Sequence, residues 1–271
     1  MIVVVRPPAP EDVASWERLG WRSAPDFDRL EFEHQGFRET LRLSGATVIE
    51  ARGDPGNLDS MYVYDPVLVT PRGAILLRPG KEERRGEPDA LAPDLPIPVL
   101  GRLEEPALAE GGDTILLGGT LVVGRSYRTN DAGIAALREL LPELDVVAVD
   151  LPHHRGPDDV LHLRSLISPL RDNLAVAYLP LLPVRLAELL DAQGVTLVSV
   201  PTDEFETMGP NVLALGASVA LALDGNPTTR RRLARAGVEV LTYVGSEIST
   251  KGDGGPTCLT LPVDFVLSHS S

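Results

Sequence analysis

Cysteine is almost absent from this chain: one residue in 271, Cys258. That excludes an intramolecular disulfide and a zinc site built on cysteines. It fits a reducing compartment, so a cytoplasmic location is expected. No apolar run approaches the ~18 residues that a membrane helix needs. The start, MIVVVRPPAPED, has an apolar run of only five residues with nothing basic ahead of it, and it reads as a first strand and not a signal peptide. Basic side chains are also outnumbered, 25 against 39 acidic, for a formal charge of −14. Such a surface repels nucleic acid and anionic membrane and favours small cationic ligands, although an acidic surface also serves plain solubility. With 43% hydrophobic residues there is ample material for a core, and the length admits one large domain or two ordinary ones.

The most informative feature present is an internal repeat. Four segments each pair two short apolar runs across a turn: PVLVTPRGAILL after Asp65, TILLGGTLVV after Asp113, LISPLRDNLAVAYLP after Ser165 and VLALGASVALALDG after Asn211. Alternation and turn residues make each a β-hairpin. Their starts lie 48, 52 and 46 residues apart, a period typical of supersecondary arrays. Helical spacing and a further strand follow, as in DAGIAALRELLPELDVVAVDL, VRLAELLDAQGVTLVSV and TTRRRLARAGVEVLTYV. The glycines of AQGV and RAGV fall where a helix C-terminus needs a left-handed residue. The polar, proline-rich stretch from Lys81 to Pro98 reads as the helix of the first complete unit plus a loop. A fifth unit is split between the termini: TCLTLPVDFVL at the end, MIVVV at the start, a helix over 32–46, then TVIEA.

A unit shared by both chain ends points to a ring. The order resembles an α/β propeller of five ββαβ modules around a pseudo-fivefold axis, strands inside and helices outside. A doubly wound sheet would alternate single strands with helices, and the recurring hairpins argue against it.

In such a ring the same end of every hairpin faces the axis, so the residues just ahead of the hairpins converge. They are Asp59 and Asp65 in LDSMYVYDP, Glu110 and Asp113 in AEGGDT, His162 in VLHLRS, Asn211 in MGPNV and Cys258 in GGPTC. Singly, each has an ordinary explanation: aspartate before proline is a common turn residue, Asp113 reads as a turn cap, and His34, His153, His154 and His269 read as structural or solvated. A nucleophile, a base and several acids at corresponding points of different repeats read together as a catalytic site.

These motifs resemble the guanidino-group-modifying, or pentein, superfamily over nearly the whole chain. MYVYDP is similar to its segment ending in a substrate-binding aspartate, EGGD to its acidic glycine motif, HLRS to its catalytic histidine motif and GGPTC to its nucleophile motif. Within the superfamily the match looks like the dimethylarginine dimethylaminohydrolases: LDSMYVYDP resembles LPDSxFVED, GRSYRTN resembles GLSxRTN, and HLRS resembles HLKS. Arginine deiminases typically show HLD, where this chain has Arg164, and commonly carry an added helical domain. Two positions depart from the pattern: Tyr64 replaces an acid and Arg125 replaces a leucine, both beside the substrate pocket.

The resemblance implies a single pentein catalytic domain over 1–271 and hydrolysis of dimethylarginine to citrulline and dimethylamine. A guanidinium carbon is a poor electrophile, which calls for a thiolate, and attack by Cys258 would give a covalent thiouronium. Asp65 and Glu110 would hold guanidinium nitrogens through charge-assisted hydrogen bonds. His162 would protonate the departing amine and then activate water. By resemblance Arg84, or its neighbour Arg85, and Arg128 bind the substrate's α-carboxylate and Asp59 its α-amino group. No metal or organic cofactor is required, and the expected partner is a small guanidine, with neither nucleic acid nor membrane; a homodimer is compatible with the sequence. Arginine deimination, amidino transfer to an acceptor amine and a non-catalytic binding role are the competing functions.

Overall fold

Runs of valine, leucine, isoleucine and alanine broken every four to six residues by glycine, proline or acidic turns give short strands. The computed structural model describes residues 1–157 and 159–264. In chain order β1 (Ile2–Val5) leads through α1 (Phe27–Leu43) to β2 (Thr47–Glu50), and β3 (Val67–Thr70) and β4 (Gly73–Leu76) lead through α2 (Glu87–Leu91) to β5 (Val99–Arg102). Next come β6 (Thr114–Leu117), β7 (Thr120–Arg125), α3 (Asp131–Leu140) and β8 (Asp145–Asp150). They are followed by β9 (Ile167–Arg171), β10 (Leu174–Ala177), α4 (Val184–Ala192) and β11 (Thr196–Ser199). The last unit holds β12 (Val212–Ala214), β13 (Val219–Leu223), α5 (Pro227–Arg235) and β14 (Glu239–Tyr243), before β15 (Leu261–Pro262).

These strands form five separate three-stranded sheets, and no single closed sheet joins them among the described residues. Four have one plan, an antiparallel hairpin whose second strand pairs in parallel with the strand after the helix. The fifth is assembled from both ends of the chain: β1 pairs antiparallel with β15 and parallel with β2. The split repeat is therefore real. Pairing of the C-terminal strand is confined to Leu261 and Pro262, shorter than the apolar run TCLTLPVDFVL implies. Proline has no N–H to extend the ladder, and Cys258 instead closes a turn by donating its N–H to the Gly255 carbonyl at 3.0 Å. The expected continuation over 265–267, like His269, lies outside the described residues.

The helices start where a cap is available. The Asn130 side chain accepts from the Gly133 N–H at 2.8 Å to begin α3, and Asp26 accepts from Arg29 N–H at 3.0 Å to begin α1. That cap sets the start of α1 at Phe27, five residues before the apolar spacing that predicts a helix from Phe32. Gly194 and Gly237 follow α4 and α5 with φ of +70° and +78°, as a left-handed helix end requires. In the proline-rich stretch only Glu87–Leu91 is α-helical, flanked by 3₁₀ turns at Glu82–Arg84 and Ala92–Asp94.

The central strand of each sheet is buried on both faces, and its alternate residues enter different cores. Val122 packs with Ile115, Ile167, Ala175 and Leu186, whereas Leu121 and Val123 pack with Leu68, Ile75 and Ile134. Each core thus joins neighbouring sheets. Leu170, Leu174, Val212, Ala220 and Leu233 join the next pair, and Val4, Val67, Leu76 and Leu261 join the split sheet to the one after it. Val3, Val5 and Phe37 pack on Leu221, Leu223 and Tyr243, so the last complete sheet also meets the first. Burial of each valine, leucine, isoleucine or phenylalanine among them is worth about 1.5–3 kcal/mol. No described helix is long and apolar enough to cross a membrane.

Candidate active site

The turns ahead of the hairpins come together around a cavity of about 360 Å³. Its lining includes Asp59, Asp65, Arg84, Glu110, Arg128, His162 and Cys258, the residues given a catalytic or substrate-binding role from the sequence, and also Asn211; Asp113, expected to converge with them, is not on it.

Glu110 precedes a 3₁₀ turn at Gly111–Asp113 that carries the chain into β6. Its side chain is fully buried. One carboxylate oxygen lies 2.6 Å from His162 Nε2, while the other accepts the Gly80 N–H at 2.9 Å and lies 3.8 Å from Arg128 Nη1. Burial alone would raise the acid's pKa, but the hydrogen bond and charge of His162, helped by Arg84 and Arg128, bring it down to about 2. The same pair acts on the imidazole: burial pulls His162 down, and Asp113, Glu110 and Asp65 override it and lift it to about 9. At neutral pH the pair is imidazolium and carboxylate.

Asp65 is buried and clamped from two sides, by Arg84 Nη1 at 2.7 Å and by the Gly112 N–H at 3.0 Å. Only glycine fits at 112, since a Cβ there would lie 2.8 Å from the Asp65 carboxylate and 3.0 Å from the His162 ring. Cys258 is half-buried. Burial, and next the charge of Asp65, push its thiol up to about 11. Asn211 steadies the nucleophile loop, donating Nδ2–H to Sγ at 3.6 Å and accepting from the Thr257 N–H at 3.1 Å and hydroxyl at 2.9 Å.

Several placements differ from the sequence reading or go beyond it. Arg84, expected as a free clamp for a carboxylate, is buried and already donates to Asp65, to both Glu87 oxygens at 2.9 and 2.8 Å and to the Tyr62 carbonyl at 3.2 Å. Arg85 points elsewhere and pairs with Glu82. Asp59 accepts from Trp21 Nε1 at 2.7 Å and Lys81 Nζ at 2.9 Å. Asp113 is more than a turn cap: it accepts the Leu163 N–H at 3.1 Å and the Ser126 hydroxyl at 2.6 Å, tying the His162 turn to a neighbouring module. His154, read as structural or solvated, sits on the cavity lining, and His153 bonds the Tyr127 hydroxyl. Glu87 and Lys81 had no signal of their own within the stretch from Lys81 to Pro98, which reads from the sequence as a helix plus a loop.

Asp65, Glu110 and His162 offer ligand atoms within 4.8 Å of one another, spacing that a metal ion could span. A histidine lifted to about 9 is protonated at neutral pH and must lose that proton before it can ligate.

The cavity thus gathers a thiol, an ion-paired acid and imidazole, and a clamped second acid on a scaffold of hairpin modules, a combination that fits guanidino-group-modifying enzymes. Comparison with known proteins agrees. A family model for arginine deiminase matches residues 169–264. The dimethylarginine dimethylaminohydrolase of Pseudomonas aeruginosa is 30% identical over 242 residues, covering 88% of this chain and 89% of that one. The Streptomyces coelicolor enzyme of the same name is 32% identical over 228 residues, covering 82% and 81%. A solved structure of the Pseudomonas enzyme, a cysteine-to-serine mutant complexed with citrulline, superposes with a TM-score of 0.78 at 27% identity over 96% of this chain and 98% of that one. The N-terminal domain of ArgZ, a cyanobacterial arginine dihydrolase, shares the fold, with a TM-score of 0.81 at 18% identity over 96% and 97% of the two chains. The chain belongs to the guanidino-group-modifying, or pentein, superfamily, alongside the dimethylarginine dimethylaminohydrolases.

Proposed function

We propose that this protein hydrolyses the guanidinium of N-methylated arginine, dimethylarginine foremost, to citrulline and the methylated amine through a thiouronium on Cys258. The observation that carries the reading is the ionised Glu110–His162 pair and the clamped Asp65 on the same cavity as the only thiol. Two carboxylates suit a planar cation with N–H groups in one plane. They hold its carbon for attack. The guanidinium's charge also favours ionisation of a thiol that burial keeps protonated in the free enzyme.

As the cationic substrate binds, Cys258 gives its thiol proton to solvent, and the Sγ thiolate bonds to the guanidinium carbon. The tetrahedral adduct collapses as His162 gives its Nε2 proton to the departing amine. The imidazole, now neutral, takes a proton from water as the oxygen adds to the thiouronium carbon. Cleavage of the C–S bond then frees citrulline as the hydroxyl proton of the adduct passes to sulfur, which restores the thiol. Glu110 stabilises the imidazolium that starts and ends the cycle. In this scheme Arg84 acts by holding Asp65, the substrate carboxylate is met by Arg128, and Asp59 faces the α-amino end.

The cyclic packing of the five sheets supports a pseudo-fivefold ββαβ propeller, with residues 1–271 acting as one catalytic domain. A lone thiol with no disulfide partner suits the cytoplasm. Arg164, in place of the aspartate of HLD, favours a substituted guanidinium over free arginine.

The test is a substrate panel of dimethylarginine, monomethylarginine and arginine, measuring citrulline together with dimethylamine, methylamine or ammonia. Equal release of citrulline and dimethylamine, with arginine the poorest substrate, is expected. Preference for arginine would make the enzyme a deiminase, an acceptor-dependent product would make it an amidinotransferase, and no turnover of any guanidine would make it a binding protein.

A further inference from the structure

The hairpins that deliver the catalytic residues run on into a second cavity. Leu68 and Val69 lie just beyond Asp65, Leu116 beyond Glu110, and Leu213 beyond Asn211, and all four line a separate space of about 440 Å³. Small-molecule sites typically hold about 300–1,000 Å³. The only charged side chain on that lining is Arg164, which also lines the catalytic cavity.

Arg164 is half-buried and has neutral partners. Its Nη2 donates to the Tyr64 hydroxyl at 2.6 Å and its Nε to the Thr114 carbonyl at 3.2 Å. Its guanidinium carbon stands 4.9 Å from the centre of the Tyr64 ring. Among the described residues it forms no ion pair, whereas the buried Arg84 beside the same catalytic cavity is paired with Asp65 and Glu87. A guanidinium drawn partly out of water without a counter-ion is costly. Its fork geometry matches a carboxylate, and Nη1 still has both N–H groups to offer.

We propose that this cavity binds an amphiphilic monocarboxylate, the anion of a medium-chain fatty acid. The carboxylate pairs with Arg164, and the alkyl chain lies along Leu68, Leu116 and Leu213. Apolar walls exclude a heavily hydrated anion such as phosphate. Because Arg164 faces both cavities, neutralising it removes a positive charge from the space where a guanidinium would sit. On the functional reading above, the two ligands then bind cooperatively, and the coupling is reciprocal.

Binding itself is tested without any activity, by calorimetric titration with octanoate, acetate and methyl octanoate. One octanoate per chain is expected, with acetate and methyl octanoate at least about tenfold weaker. Arg164→Met and Leu116→Trp should each weaken octanoate by a similar factor, and arginine should leave octanoate bound. Absence of octanoate binding at millimolar concentration, equal binding of the methyl ester, or displacement of octanoate by arginine would overturn the proposal. Since no step depends on turnover, its failure leaves the hydrolase reading untouched, and failure of the hydrolase reading leaves the octanoate result standing.

Discussion

The polar cavity that holds Cys258 and the apolar cavity are built by the same hairpins and share Arg164, yet their chemistry is opposite. The first draws Asp65, Glu110, His162 and Cys258 from the turns ahead of the strands; the second draws Leu68, Leu116 and Leu213 from the strands themselves. In a repeated ββαβ module the turn is free to carry polar side chains because its backbone is satisfied locally. The Asp65 and Gly111–Asp113 turns and the Leu163–Ser165 turn brace one another through Gly111 N–H to the Asp65 carbonyl at 2.8 Å and Leu163 N–H to Asp113. The strand has no such freedom, since both of its faces must be covered. Polar side chains are thus concentrated at one end of the repeat and apolar ones at the other.

Substitutions on the two sides should separate accordingly. The largest effect outside the nucleophile itself is expected from His162→Asn, which removes the proton donor and should lower turnover by about 10²–10⁴-fold. The same residue sets the pH dependence. The reactive form keeps one of the two protons held by Cys258 and His162, so kcat/KM should climb to about pH 9, level, and fall beyond about 11. Stability moves the other way. A histidine lifted from 6.5 to about 9 contributes stability that is complete below 6.5 and lost as pH rises through 9. Thermal unfolding of the wild type across that window should show the loss, and His162→Asn should not.

Next in size is Glu87→Ala, which leaves the buried Arg84 guanidinium without its bidentate partner. Breaking a buried pair from one side costs about 3–5 kcal/mol, measurable by denaturant unfolding, and Asp65 should lose part of its clamp, raising KM. The smallest effect belongs to the apolar side: Leu116→Trp should fill the second cavity and leave kcat/KM for dimethylarginine within about twofold. A large loss of turnover in that variant would mean that the two cavities are not separate in function.

The fold was legible because each unit repeats one hairpin, one helix and one strand, and because the apolar alternation of β1 finds its antiparallel partner only at the other end of the chain. The site was legible through position: residues ahead of equivalent hairpins converge. What stayed hidden depends on contacts between distant segments. Nothing in KEERRGE distinguishes a solvated run from one in which Arg84 reaches Asp65 and Glu87, so Arg84 reads equally well as a substrate clamp. The bracing roles of Asp113 and Asn211 likewise exist only once neighbouring modules touch. Tyr64 is visible as a departure and Arg164 as the residue standing where deiminases have an aspartate, but their pairing across one hundred residues is not.

The central claim is that Cys258 becomes covalently attached to the guanidine carbon. Rapid acid quench of the enzyme with dimethylarginine, followed by peptide mass analysis, tests it most directly. The account predicts an adduct on the Cys258 peptide with the mass of the substrate less dimethylamine, and loss of both adduct and turnover in Cys258→Ser. Turnover retained by Cys258→Ser, with no adduct in the wild type, would contradict it.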